Sequence, residues 1–148
     1  MAEEVVSYLS LGSNEEPREL NLARAVEKLA GMPLVKVEAV SRVLETEAQG
    51  EWKGRPCGKF LNCCVRISTS LSPDGLLDAV KGIEKELGRE GEPEFNAFGK
   101  RVYSDRPIDI DILLYGNLRI STDRLQIPHP RMEEREFVMK PLKEIYAS

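Results

Sequence analysis

Hydrophobic and polar positions alternate or recur regularly enough along most of this chain to mark its elements. Val5-Val6-Ser7-Tyr8-Leu9-Ser10-Leu11 reads as a strand that stops at Gly12-Ser13-Asn14. Leu20, Ala23, Val26, Leu29 and Ala30 then recur at helical spacing, between Pro17 in a first turn and Gly31 at the end. Val35 to Leu44 predicts a second strand. Phe60 to Ser68 predicts a third, with Leu61, Cys63, Val65 and Ile67 on one face and Phe60, Asn62, Cys64 and Arg66 on the other. Ser72-Pro73 opens a second helix as cap and first residue. Leu76, Leu77, Val80, Ile83 and Leu87 are its apolar side, and Gly88 ends it. Ile108, Ile110 and Ile112 alternate with Asp109 and Asp111 in a fourth strand. A hairpin is expected through Gly116-Asn117 to Leu118-Arg119-Ile120, followed by Leu125-Gln126-Ile127-Pro128-His129-Pro130. The stretch from Met132 to Tyr146 is expected to be partly helical and broken at Pro141.

This order, βαβ followed by βαβ, predicts an α+β fold: a ferredoxin-like βαββαβ sandwich with a C-terminal hairpin and a short helical extension. One domain is expected over residues 1–148, long enough to bury a core without disulfide staples. Two stretches lack a core of their own: 45–59, with Gly50, Gly54, Pro56 and Gly58, and 89–105, with Gly91, Pro93 and Gly99. Loops of that length are uncommon in compact domains unless they serve a site. Both flank a candidate site strand and are expected to close over it.

Composition narrows the function classes. The net charge of −4 opposes a nucleic-acid backbone as partner. No apolar run reaches the roughly 18 residues of a membrane span, and the N-terminus lacks a signal pattern, so a cytoplasmic protein is expected. Three cysteines and one histidine make neither a disulfide framework nor a Cys/His zinc site. A monomer is expected.

The candidate chemistry gathers around the fourth strand. Asp109 and Asp111 share its non-isoleucine face, about 6–7 Å apart at a rise of about 3.3 Å per residue. Neighbouring carboxylates repel unless a cation joins them. Mg²⁺ suits such a pair, because it takes one or two protein carboxylates and completes its shell with water and phosphate oxygens. Arg89 and Arg106 bracket the second loop, Lys100 and Arg101 lie within it, and Arg124 and Arg135 flank the Pro128-His129-Pro130 segment. Each arginine alone reads as a surface charge; together with the carboxylates they make a composite site for a polyphosphate. His129 is a structural imidazole or, as favoured here, a phosphate contact. Phe60 beside Asn62 offers a stacking face and an amide, which a flat hydrogen-bonding heterocycle requires. No Walker or protein-kinase motif occurs in the chain. The residues thus point to a Mg²⁺-dependent enzyme acting on a polyphosphate with a planar acceptor. A non-catalytic ferredoxin-like binding module is the rival, and it would not need the aspartates beside arginines. An RNA-binding βαββαβ domain would need an aromatic signature that the chain lacks.

Four motifs together carry a resemblance. Tyr8-Leu9-Ser10-Leu11-Gly12-Ser13-Asn14, Phe60-Leu61-Asn62, Arg106-Pro107-Ile108-Asp109-Ile110-Asp111-Ile112-Leu113 and Ile127-Pro128-His129-Pro130-Arg131-Met132 resemble, in order and spacing, the 6-hydroxymethyl-7,8-dihydropterin pyrophosphokinases of folate biosynthesis. The resemblance implies transfer of the β,γ-diphosphate of ATP to the pterin hydroxymethyl group, with release of AMP. It implies two Mg²⁺ ions on Asp109 and Asp111, and a pterin held between Phe60 and Phe137. Asn62 would read the pterin edge, with help from the backbone from Thr46 to Gly50. Arg89, Arg106 and Arg135 match arginines that handle phosphates, while Glu84, Ile112, Arg124 and His129 match positions lining the ATP site. Lys100 or Arg101 stands in for a second arginine usual just after Arg89.

Overall fold

The computed structural model describes residues 3–46, 51–52, 59–88, 94–95, 97–98, 101–103 and 107–146, with backbone alone at 51–52, 94–95 and 101–103. Its main sheet is built from β1 (Val5–Ser13), β2 (Val35–Val40), β3 (Leu44–Thr46), β5 (Phe60–Thr69) and β8 (Asp109–Tyr115), in the order β2-β5-β1-β8 with β3 also on β5. Every pairing is antiparallel. With α1 (Arg18–Ala30) after β1 and α2 (Pro73–Glu86) after β5, this is the expected βαββαβ sandwich.

Both helices cover one sheet face. Leu22, Ala25 and Leu29 of α1 and Leu76, Leu77, Val80 and Ile83 of α2 pack on Leu9, Leu11, Leu61, Cys63, Val65, Ile67, Ile108, Ile110 and Ile112. The side of α1 that turns inward differs from the expected one. Leu20 stays exposed and Asn21 is buried, its Nδ2 donating to the Glu15 carbonyl at 2.9 Å. The Ser72 hydroxyl caps α2 by accepting the Gly75 N–H at 3.0 Å, and Gly88 follows with φ +101°, as a helix-ending glycine should.

On the opposite sheet face a smaller apolar cluster forms among the described residues. Helix α3 (Glu136–Ile145) lays Val138, Leu142 and Ile145 over Tyr8, Cys64 and Leu113, with Met132 beside them. Arg66 holds the far end of α3, donating to the Ile145 carbonyl at 2.9 Å. Pro141 was expected to break this helix, yet it sits buried inside it. A proline there costs about 3 kcal/mol. Burying three aliphatic side chains, at about 1.5–3 kcal/mol each, outweighs that cost. Cys63 and Cys64 are buried on opposite faces, and burial pushes both thiols up to about 12. Neither is a nucleophile at neutral pH.

Three further expectations need correction. The strand expected over 35–44 is two strands, because the Ser41 hydroxyl accepts the Cys64 N–H at 2.8 Å where a backbone carbonyl would otherwise sit. Pairing resumes with Leu44 opposite Asn62. The hairpin does not return along β8: β9 (Ile120–Ser121) pairs with β10 (Gln126–Ile127) instead. Gly116 turns the chain away, with φ +53° and its N–H donated to the Val6 carbonyl at 2.8 Å. Lastly, the two long loops are not without structure. From the first comes β4 (Glu51–Trp52), and from the second β6 (Glu94–Phe95) and β7 (Arg101–Tyr103), which form one small sheet in the order β4-β7-β6.

Candidate active site

Part of the second sheet face, beyond the reach of the α3 cluster, carries Asn62, Asp109 and Asp111, with the two aspartates half-buried and Asn62 buried. Alternation sends Ile108, Ile110 and Ile112 into the core, so Asp109 and Asp111 face the other way. Register then sets their neighbours. Gly12 of β1 lies opposite Asp109 on one side and Asn62 of β5 on the other; Ser10 lies between Asp111 and Cys64 in the same manner. One cross-strand row therefore runs Asn62–Gly12–Asp109. Gly12 was part of a recognised motif but had no role assigned. A Cβ there would lie 3.1 Å from Asn62 Oδ1 and 3.4 Å from the Phe60 ring, so glycine keeps this row open.

Strand β3 brings Thr46 opposite Phe60, and the Asn62 Nδ2 donates to the Thr46 hydroxyl at 2.8 Å. The start of helix α3 carries two further candidates, Arg135 at its N-cap and Phe137 in its first turn, the latter packed against the second apolar cluster. Arg135 places its guanidinium carbon 5.7 Å from the centroid of the half-buried Phe137 ring. Its Nε is buried with no hydrogen-bond partner among the described residues. A buried orphan donor carries a desolvation cost that an anion would relieve.

His129 follows β10. Its N–H is donated to the Leu113 carbonyl at 3.0 Å, and its Nδ1 accepts the Arg131 N–H at 3.3 Å. The neutral ring therefore carries its proton on Nε2. Burial and then the charge of Arg135 hold the imidazole below its ordinary value; Asp109 pulls upward and Arg131 adds to the depression.

Other candidates fall differently. Glu84 is buried on α2 and accepts the Ile110 N–H at 2.7 Å, on the side of β8 away from β1. Ile112 buries its side chain in the core, so only its backbone, turned to the same side by alternation, is available to a ligand. Arg124 is exposed and paired with Asp78 at 2.5 Å and Asp74 at 3.9 Å on α2. Arg101 lies in β7, described by backbone alone. Gly50, Arg89, Lys100 and Arg106 lie outside the described residues.

The donor set fits Mg²⁺. Among the described residues no three of His, Cys, Asp and Glu converge, and the pair Asp109 and Asp111 supplies the one or two carboxylates such an ion takes, leaving the rest of its shell to phosphate and water.

The sequence profile of the 7,8-dihydro-6-hydroxymethylpterin-pyrophosphokinase family matches residues 8–147. The chain belongs to this family. Among the relatives of this pyrophosphokinase are the proteins named 2-amino-4-hydroxy-6-hydroxymethyldihydropteridine pyrophosphokinase of Bacillus subtilis and Aquifex aeolicus. The first is 41% identical over 95% of this chain and 77% of its own length. The second is 40% identical over 93% and 78%. The pyrophosphokinase fold is also seen in a solved Plasmodium falciparum HPPK-DHPS with pteroate, at a TM-score of 0.69 and 15% identity. That match covers 97% of this chain and 39% of the longer one.

Proposed function

We propose that this pyrophosphokinase transfers the β,γ-diphosphate of ATP to the hydroxymethyl oxygen of 6-hydroxymethyl-7,8-dihydropterin, a step of tetrahydrofolate biosynthesis. The hydroxymethyl oxygen forms a bond to the β-phosphorus, the bond from that phosphorus to the α,β-bridging oxygen breaks, and AMP leaves with that oxygen. The hydroxyl proton passes to solvent. The observation that carries this reading is the cross-strand row Asn62–Gly12–Asp109, which sets an amide suited to a heterocycle edge beside a carboxylate suited to a metal on one sheet face.

Each residue has a part in it. Phe60 and Phe137 stack on the two faces of the pterin, and Asn62 pairs with its edge. Asp109 and Asp111 would hold the two Mg²⁺ ions that the resemblance implies, which would supply charge to offset the triphosphate and acidify the attacking hydroxyl. Arg135 gives its unpartnered Nε to a phosphate oxygen, and neutral His129 donates from Nε2. Arg89, Arg106, Lys100 and Arg101 supply further positive charge to the polyphosphate, and Arg124 does so once it leaves Asp78. Glu84 and the Ile112 backbone border the nucleotide along the side of β8 away from β1. The backbone from Thr46 to Gly50 borders the pterin. Catalysis is positioning and charge neutralisation, and no dedicated base is required.

The test is an incubation with ATP, Mg²⁺ and 6-hydroxymethyl-7,8-dihydropterin, with products separated by chromatography. AMP and the pterin diphosphate are expected in equal amounts. ADP with a monophosphorylated pterin, or no pterin product, would overturn the reading.

A further inference from the structure

The Asn62 amide is gripped on one flank and left bare on the other, and the two residues responsible lie on different strands. We infer that Thr46 and Gly12 are positioning residues that hold the Asn62 side chain with its oxygen toward the slot, so that the site selects a heterocycle edge presenting an N–H donor. The inference deepens the reading of the site given above and rests on it.

The grip comes from β3. Both described hydrogen bonds of the Asn62 side chain leave from Nδ2, to the Thr46 hydroxyl at 2.8 Å and the Leu44 carbonyl at 3.5 Å. A carbonyl can only accept, so the nitrogen must lie on that side and the oxygen on the other. Asn62 is 4% exposed, which leaves the amide little room to turn over. The bare flank is β1. Gly12 has no positive φ, so its backbone does not demand glycine; the space does. A methyl there would stand 3.1 Å from Asn62 Oδ1 and 3.4 Å from the Phe60 ring, pressing on the amide and the stacking face together. Gly12 also neighbours Asp109, so the same bare Cα leaves the way open from the edge-reading amide to the carboxylate.

Orientation decides selectivity because a turned amide would offer donors in place of an acceptor. An acceptor facing the slot pairs with an amino or ring N–H group. It leaves a ligand edge carrying only acceptors unpaired, and buried unpaired polar groups are what polar sites use to reject analogues. The relatives' substrate name, a 2-amino-4-hydroxypteridine, includes such an amino group.

The experiment is calorimetry on the full chain with 6-hydroxymethylpterin and, separately, a non-hydrolysable ATP analogue with Mg²⁺. The variants are Thr46→Val, Thr46→Ser, Gly12→Ala, Asn62→Ala and the double variant Asn62→Ala/Thr46→Val. Thr46→Val is expected to weaken pterin binding by about tenfold, the usual scale of a lost buried hydrogen bond, and to leave the ATP analogue unaffected. Thr46→Ser, which keeps the hydroxyl, restores pterin affinity. In the Asn62→Ala background Thr46→Val has no further effect, because its action passes through the amide. Gly12→Ala weakens the pterin alone. A Thr46→Val protein that binds pterin normally, that loses both ligands equally, or that still loses affinity once Asn62 is gone overturns the inference. So does a folded Gly12→Ala protein with normal pterin affinity; if that variant does not fold, the Thr46 set decides by itself. A wild-type chain that binds no pterin takes down the reading of the site as well.

Discussion

Glu84 accepts the backbone N–H of Ile110 at 2.7 Å, and Ile110 is the residue between the two aspartates. A buried carboxylate on α2 thus bonds the side of β8 away from β1 between Asp109 and Asp111. The first prediction follows from this. Glu84→Leu should destabilise the fold by about 1–3 kcal/mol, the cost of an orphaned buried donor. It should also raise the Mg²⁺ concentration needed for half-maximal turnover. Glu84→Gln keeps an acceptor oxygen and should retain most of both. Urea unfolding and a Mg²⁺ titration of activity check this; an unchanged urea midpoint in Glu84→Leu would mean that Glu84 serves the nucleotide alone.

Asp109→Ala and Asp111→Ala should each lower turnover about 100-fold or more, since metal-assisted charge stabilisation is a matter of several kcal/mol. Both side chains lie off the hydrophobic core, so no cavity opens and unfolding curves should shift by less than about 1 kcal/mol. Steady-state rates at saturating Mg²⁺ together with thermal melts test the pair, and near-normal turnover in either variant would refute the metal assignment.

His129 is the chain's one histidine, so its imidazole signals can be followed by NMR without ambiguity. In metal-free protein it should titrate below the ordinary value of 6.5, with burial the main cause and Arg135 the next. Arg135→Ala should move the midpoint upward. The sign for stability follows from linkage. The folded state binds fewer protons than the unfolded chain between the depressed value and about 6.5, so stability rises with pH through that window and levels off above it. Denaturant midpoints measured from acid to neutral pH should show this rise in the wild type and a smaller one in His129→Gln.

Phe137→Ala should weaken pterin binding by about 0.5–1.5 kcal/mol beyond area loss, and ATP binding much less, because only one ligand loses a stacking face. The ring is half-buried against Arg135 at the border of α3, which makes a purely structural role the competing account. Calorimetry with each ligand separates the two; equal losses would favour structure.

Strands β4 and β7 share backbone hydrogen bonds, as do β6 and β7, so the two long loops meet in one small sheet. If the loops close over the bound substrates, the amides at 51–52, 94–95 and 101–103 should gain exchange protection together when ATP analogue and pterin are both present. Hydrogen exchange read by mass spectrometry tests this, and protection gained by one loop without the other would refute joint closure.

By itself, the sequence determined the two helices, the strand faces and the aspartate pair, because these depend on local periodicity. Ile108, Ile110 and Ile112 could not enter a core without turning Asp109 and Asp111 away from it, and Ser72-Pro73 and Gly88 bound α2 through backbone chemistry that needs no distant partner. The sequence pattern alone also put Phe60 and Asn62 on the face opposite the aliphatic set. What only the tertiary structure decided are relations between segments far apart in the chain. Register set Gly12 between Asn62 and Asp109, and nothing in a strand's own pattern fixes which residue lies opposite. The break at Ser41 came from a hydroxyl bonded to Cys64, and Pro141 stayed helical because burial of its neighbours outweighed a local penalty. The resemblance gives Arg124 a place at the ATP site, and only the tertiary structure shows its pairing with Asp78 on α2. Glu84 has helical spacing like any other polar residue, and its hold on the aspartate strand exists only once α2 packs on β8.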